Sequence, residues 1–195
     1  MDPEFRPAAA VRSDIEDAFE RLKGAPWSIR SPFDRTYKCI AWAACRTDHI
    51  WWPVDSDPLP DGVYWPPGIP RNEKLETFVK AFEYLGYRCC DSASFEFGYQ
   101  KVAIYAWDED TVTHMARQHF LGNGWLSKPG MLEDIVHPTL ESIASDPPYQ
   151  GGDYGKVFQI MKRSWITALL RLCLFRCYWH SLRFWWYRTF RWSGL

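Results

Sequence analysis

Hydrophobic residues recur at helical spacing in two stretches. From Ala8 to Lys23 the positions Val11, Ile15, Ala18, Phe19 and Leu22 form one apolar stripe, with Ser13 available as a cap and Gly24-Ala25-Pro26 as the stop. From Arg71 to Leu85 the residues Leu75, Phe78, Val79, Phe82 and Leu85 do the same, and Gly86 supplies a C-terminal cap. A third helix, Cys39–Cys45, is apolar on almost every side (Ile40, Ala41, Trp42, Ala43, Ala44) and is expected to be buried. Trp27 to Lys38 reads as the loop that delivers the chain to Cys39.

Period-two and β-branched patterns take over further along. Phe95–Tyr99 and Lys101–Ala106 read as strand, Asp108-Glu109-Asp110 as a turn, and Thr111–Gln118 as the return strand of a hairpin. Gly122-Asn123-Gly124 is a second turn signal before a short strand at Trp125–Lys128. Gly130–Ile135 and Thr139–Ile143 are expected to be short helical pieces, and Gly155–Met161 a last strand. Asp48 to Pro70, with Trp51-Trp52-Pro53 and Tyr64-Trp65-Pro66-Pro67, has little periodicity. It reads as one long aromatic loop, and loops of that length are often functional.

The pattern sorts the chain into three parts. Residues 1–7 read as cloning residue, 8–163 as a single α+β domain, and 164–195 as a basic aromatic tail. That last segment holds five Trp and five Arg with no acid, leaving 18 basic against 24 acidic side chains in the rest of the chain. Its longest uncharged run is too short for a membrane span. The tail is read as non-native sequence, the other reading being a basic amphipathic segment suited to a membrane surface. No nucleic-acid partner is expected. The six cysteines lack the spacing of a disulfide scaffold or a zinc site, so reduced thiols in a cytoplasmic setting are expected, with no metal and no cofactor.

Candidate chemistry centres on Cys39. A thiol becomes a nucleophile when its thiolate is stabilised, and a helix start and a neighbouring imidazole both do that. His114, near the start of the return strand, is the candidate base, and a third polar group would fix its tautomer by accepting the other N–H. Ser127, Asp134 and His137 are all candidates for that third place. Trp51, Trp52 and Trp65 would line a substrate cleft or simply pack over the core. Ser127-Lys128 is a weak Ser/Lys pair, because adjacent strand residues point to opposite faces. Cys45, Cys89 and Cys90 read as packing residues or incidental thiols.

Several blocks within residues 25–163 resemble an uncharacterised bacterial domain family of unknown function. They are Tyr37-Lys38-Cys39-Ile40-Ala41-Trp42-Ala43-Ala44, the Trp-Trp-Pro loop, Thr113-His114-Met115-Ala116-Arg117-Gln118, Trp125-Leu126-Ser127-Lys128 and Glu133-Asp134-Ile135-Val136-His137. The order of a helix-start Cys followed by a strand His is similar to papain-like cysteine hydrolases, especially the NlpC-like branch. That resemblance implies N-terminal helices packed on a small antiparallel sheet, Cys39 and His114 as a dyad, and Ser127 nearest the third position. It implies hydrolysis of an amide or acyl bond in a peptide or protein. The alternative is a catalytically silent binding module that grips a partner with its Trp-rich loop. The chain departs from the family pattern at Lys38, where Asn usually precedes the Cys, and at Cys45, where Gly usually follows Ala-Ala.

Overall fold

A computed structural model describes residues 6–145 and 154–164. Helix α1 (Ala8–Ala18) is followed by a 3₁₀ turn (Glu20–Leu22) and strand β1 (Ser28–Ile29). Next come α2 (Cys39–Ala43), β2 (Ile50–Trp51), β3 (Val63–Tyr64), α3 (Leu75–Tyr84) and β4 (Arg88–Cys90). The rest is strand-rich: β5 (Tyr99–Asp108), β6 (Thr111–Gln118), β7 (Trp125–Ser127), β8 (Ile135–His137), a 3₁₀ turn (Leu140–Ile143) and β9 (Lys156–Ser164).

The main sheet has seven strands in the order β1-β8-β7-β6-β5-β9-β4, with antiparallel pairing throughout. This corrects the expected papain-like arrangement of helices on a small sheet. The sheet is the body of the domain, and the three helices are short covers on it. The pattern misled because four of the seven strands have only two or three residues, too few to show a period. The stretch 130–135, expected to be helical, instead leads through a turn into β8. Phe95–Phe97, expected to be strand, lies outside the sheet, with Phe97 83% exposed and Gly98 turning at φ 86°.

The hairpin of β5 and β6 forms as expected and is the centre of the sheet. Residues 101–106 of β5 are all buried, because both faces of the strand are covered. Val102, Ile104 and Ala106 join Val112, Met115 and Met161 under α2, α3 and the aromatic loop. Ala103 and Tyr105 join Ala116, Trp125, Ile135 and Ile160 under α1 and the two 3₁₀ turns. Each face therefore has its own apolar cluster. The aromatic loop is drawn over the first cluster by the two-residue parallel pairing of β2 and β3, where Trp51 meets Tyr64 at 4.8 Å between rings.

Helix α1 departs from expectation: it starts at Ala8 after Pro7, with Ser13 in its middle instead of at its cap, and it ends at Ala18, short of the Gly24 stop. Asn72 accepts the Lys74 N–H and the Thr77 hydroxyl at the start of α3, and Gly86 turns the chain out at φ 87°. Helix α2 closes with the Arg46 N–H on the Ala41 carbonyl (2.8 Å) and the Cys45 N–H on the Trp42 carbonyl (3.0 Å). This pair of bonds needs a left-handed residue after the cap, and Cys45 supplies it at φ 61°. Glycine takes that conformation without strain, so a cysteine here is unusual. Arg6, inside the stretch set aside as cloning residue, pairs with Glu133 at 2.6 Å. Residues 1–5 and the tail from Trp165 onward lie outside the described residues.

Candidate functional site

Strand register sets which side chains can meet. His114 is the cross-strand partner of Tyr105, and Ser127 pairs with Ile135 while His137 pairs with Trp125. All of these share the face under α1. There His114 Nε2 lies 3.0 Å from Ser127 Oγ, and Ser127 Oγ lies 2.9 Å from His137 Nε2. His137 Nδ1 lies 2.7 Å from the Thr139 carbonyl.

Those contacts fix every proton. A carbonyl only accepts, so His137 Nδ1 carries the hydrogen and its Nε2 is bare. Ser127 must then donate to His137 and accept from His114, which places the His114 hydrogen on Nε2. His114 Nδ1 is left as a bare lone pair, buried and without a hydrogen-bond partner among the described residues. Both rings are neutral. Burial, and then repulsion from His137, holds His114 well below the usual imidazole range, and burial lowers His137 to about 4. Tyr154 lies flat on His114 at 4.0 Å between ring centres, and Tyr105 meets the ring edge-on at 5.6 Å.

Cys39 approaches from the α2 side. It is the first residue of α2 and is buried in the cluster that contains Met115. Burial pushes its thiol up to about 11, against the opposing pull of the Met115 and Ile40 N–H groups and the Lys38 charge. Cys39 thus shares its apolar cluster with Met115, the residue after His114, on the opposite face of β6. Tyr154, stacked on His114, is raised first by burial and next by the Cys39 sulfur, so its hydroxyl is within the field of that thiol. No hydrogen bond joins Cys39 to His114.

Asp134 is elsewhere. It precedes β8 and points to the α2 face, accepting from the Tyr37 hydroxyl at 2.7 Å with Lys128 Nζ 3.8 Å away. Burial raises Asp134 to about 6 and lowers Lys128. Ser127 and Lys128 do part to opposite faces, Lys128 donating to the Leu132 carbonyl at 2.6 Å. Of the three tryptophans, Trp51 and Trp65 are core residues, and Trp65 packs edge-on against Phe78. Trp52 is half-buried, its indole N–H donating to Glu73 at 3.2 Å. Among the described residues no three metal-ligating side chains come together, and no helix is long and apolar enough to cross a membrane.

One cluster escaped the sequence reading. Cys45 Sγ receives Arg117 Nη1 at 2.7 Å, Gln100 Nε2 at 3.4 Å and Arg163 Nη2 at 3.8 Å. Burial opposes its ionisation, but the Arg117 and Arg163 charges outweigh it and hold the thiol below its ordinary value. The one available signal was a cysteine just past the end of an apolar helix, where glycine is the common cap.

The profile of Domain of unknown function (DUF7689) matches residues 28–162. The chain belongs to this family. The match covers α2, both long strands of the hairpin and the His137–Ser127–His114 chain, so the site lies within the matched domain. No curated protein and no solved structure matches the chain, and nothing in these comparisons links the family to papain-like hydrolases.

Proposed function

We propose that this DUF7689 domain is a cysteine-dependent hydrolase of amide or acyl bonds in a peptide or protein substrate. Cys39 is the nucleophile, His114 the base, and Ser127 with His137 the positioning residues. The observation that carries the reading is the bare Nδ1 of His114, locked by the Ser127–His137–Thr139 chain and held next to the strand segment that Cys39 contacts.

The resting pair is a neutral thiol and a neutral imidazole. Cys39 and His114 lie on opposite faces of β6 at rest, so the two must be brought together as Tyr154 is displaced; Nδ1 then takes the thiol proton as the sulfur attacks a carbonyl carbon. Collapse breaks the bond to the leaving amine or alcohol, which takes the proton back from His114. Water then releases the acyl group and restores the thiol. Tyr154 covers the ring in the resting state, so substrate must displace it, and catalytic contacts of this kind often tighten only in the complex. Trp51 and Trp65 being enclosed in the core argues against the silent binding module.

The test uses Cys45→Gly protein, so that the second thiol does not compete. It is treated with p-nitrophenyl acetate and the acetyl thioester is mapped by mass spectrometry. Acylation at Cys39 that is lost in His114→Ala supports the reading. Acylation that ignores His114, or that never reaches Cys39, refutes it.

A further inference from the structure

Four side chains from four elements converge at the end of α2. Cys45 comes from the residue that turns the helix, Gln100 from β5, Arg117 from β6 and Arg163 from β9. Each basic group is held in place by an aromatic ring, Arg117 over Trp42 at 4.5 Å and Arg163 over Tyr87 at 4.6 Å. Gln100 is fixed in turn, accepting from Arg163 Nη2 at 2.9 Å and from the Tyr87 hydroxyl at 3.1 Å. The donors therefore point at the sulfur before any reaction begins. Cys45 itself is half-buried, open to a small reagent.

The left-handed backbone adds to the case. A side chain at φ 61° is disfavoured, and what the cysteine gains in return is contact with two guanidiniums and an amide N–H. We propose that Cys45 is a peroxide-sensitive thiolate, a site of oxidation to sulfenic acid by hydrogen peroxide or a small organic hydroperoxide. The thiolate sulfur attacks one peroxide oxygen, so an S–O bond forms as the O–O bond breaks. The electron pair leaves on the second oxygen as hydroxide or alkoxide, which takes a proton from solvent. Sulfur gives up two electrons and the peroxide accepts them. Arg117 and Arg163 stabilise the thiolate beforehand and donate to the departing oxygen.

The charged and titratable groups facing the sulfur are Arg117, Arg163 and Tyr87, and the Tyr87 hydroxyl is pushed up by burial, so it stays neutral. The other described thiols differ. Cys39 is held up by burial, and Cys89, though exposed, is raised by its surroundings and by Glu83. This inference concerns a different residue from the hydrolase reading and stands or falls separately.

The experiment treats the full chain with limiting hydrogen peroxide at neutral pH, traps sulfenic acid with a cyclic 1,3-dione, and maps the adducts by mass spectrometry. Cys45 is expected to be trapped ahead of the more exposed Cys89. Arg117→Met is expected to slow trapping several-fold, because the sulfur loses its nearest positive charge and the departing oxygen a donor. Arg163→Met carries the same test with a smaller effect should Arg117→Met fail to fold. Trapping first at Cys89 or Cys39, or an unchanged rate in whichever variant folds, overturns the proposal.

Discussion

Cys39 and Cys45 stand at the two ends of one short helix and occupy opposite chemical states. Cys39 sits in an apolar cluster where burial dominates, and its thiol is pushed up to about 11. Cys45 is half-buried and burial opposes its ionisation too, yet two guanidiniums at 2.7 and 3.8 Å reverse the sign. The same side chain thus serves in one place as a neutral thiol waiting for a base and in the other as a thiol whose ionised form is favoured by neighbouring charge. Burial alone does not decide reactivity; the charges brought within contact of the sulfur do.

The largest expected effect breaks the Cys39 side of this contrast. Ser127→Ala strips a hydrogen bond from each of two buried imidazoles, at a cost of about 4 kcal/mol from two unsatisfied groups. Urea unfolding would measure the loss, and acylation of Cys39 should fall because His114 can then rotate or change tautomer. Trapping at Cys45 should be unaffected.

A pH series sharpens the same contrast. His137 is lowered from 6.5 to about 4, so its stabilising share is complete above 6.5 and is lost as pH falls through about 4. The full change is roughly 3 kcal/mol, and His114 acts in the same direction. Asp134 opposes it: raised from 3.8 to about 6, its share is complete below 3.8 and is lost as pH rises through about 6. Asp134→Asn removes that opposing contribution, so urea midpoints across this range should show a steeper loss of stability in acid than in the wild type.

The smallest effect probes the cost of placing a side chain at the helix end. Cys45→Gly and Cys45→Ala both delete the thiolate, but only alanine keeps a side chain at φ 61°. Glycine is expected to be the more stable of the two by about 1 kcal/mol in thermal or urea unfolding. Equal stabilities would show that the left-handed turn relaxes.

How much of this was legible in the sequence follows from the range of each interaction. Helix α2 and the β5–β6 hairpin could be read because their signals are local: apolar runs and a turn. Ser127 and His137 could be named as partners of His114 because they follow it on the next two strands. The sheet order could not, since β1, β4 and β8 have two or three residues each and are recruited by pairing, not by their own pattern. Nor could the Cys45 cluster, whose Arg partners lie 72 and 118 residues away in sequence. Tyr154 gave no signal at all, because stacking on His114 depends on where the chain re-enters after the preceding loop.

The contrast between the two thiols is tested most directly by the pH dependence of iodoacetamide alkylation, followed cysteine by cysteine in the folded protein. The account predicts that Cys45 reacts first near neutral pH, while Cys39 stays silent until the solution approaches its raised pKa of about 11. Labelling of Cys39 ahead of Cys45 at pH 6 would contradict it, for it would make Cys39 the resting thiolate and reverse the roles of the two ends of α2.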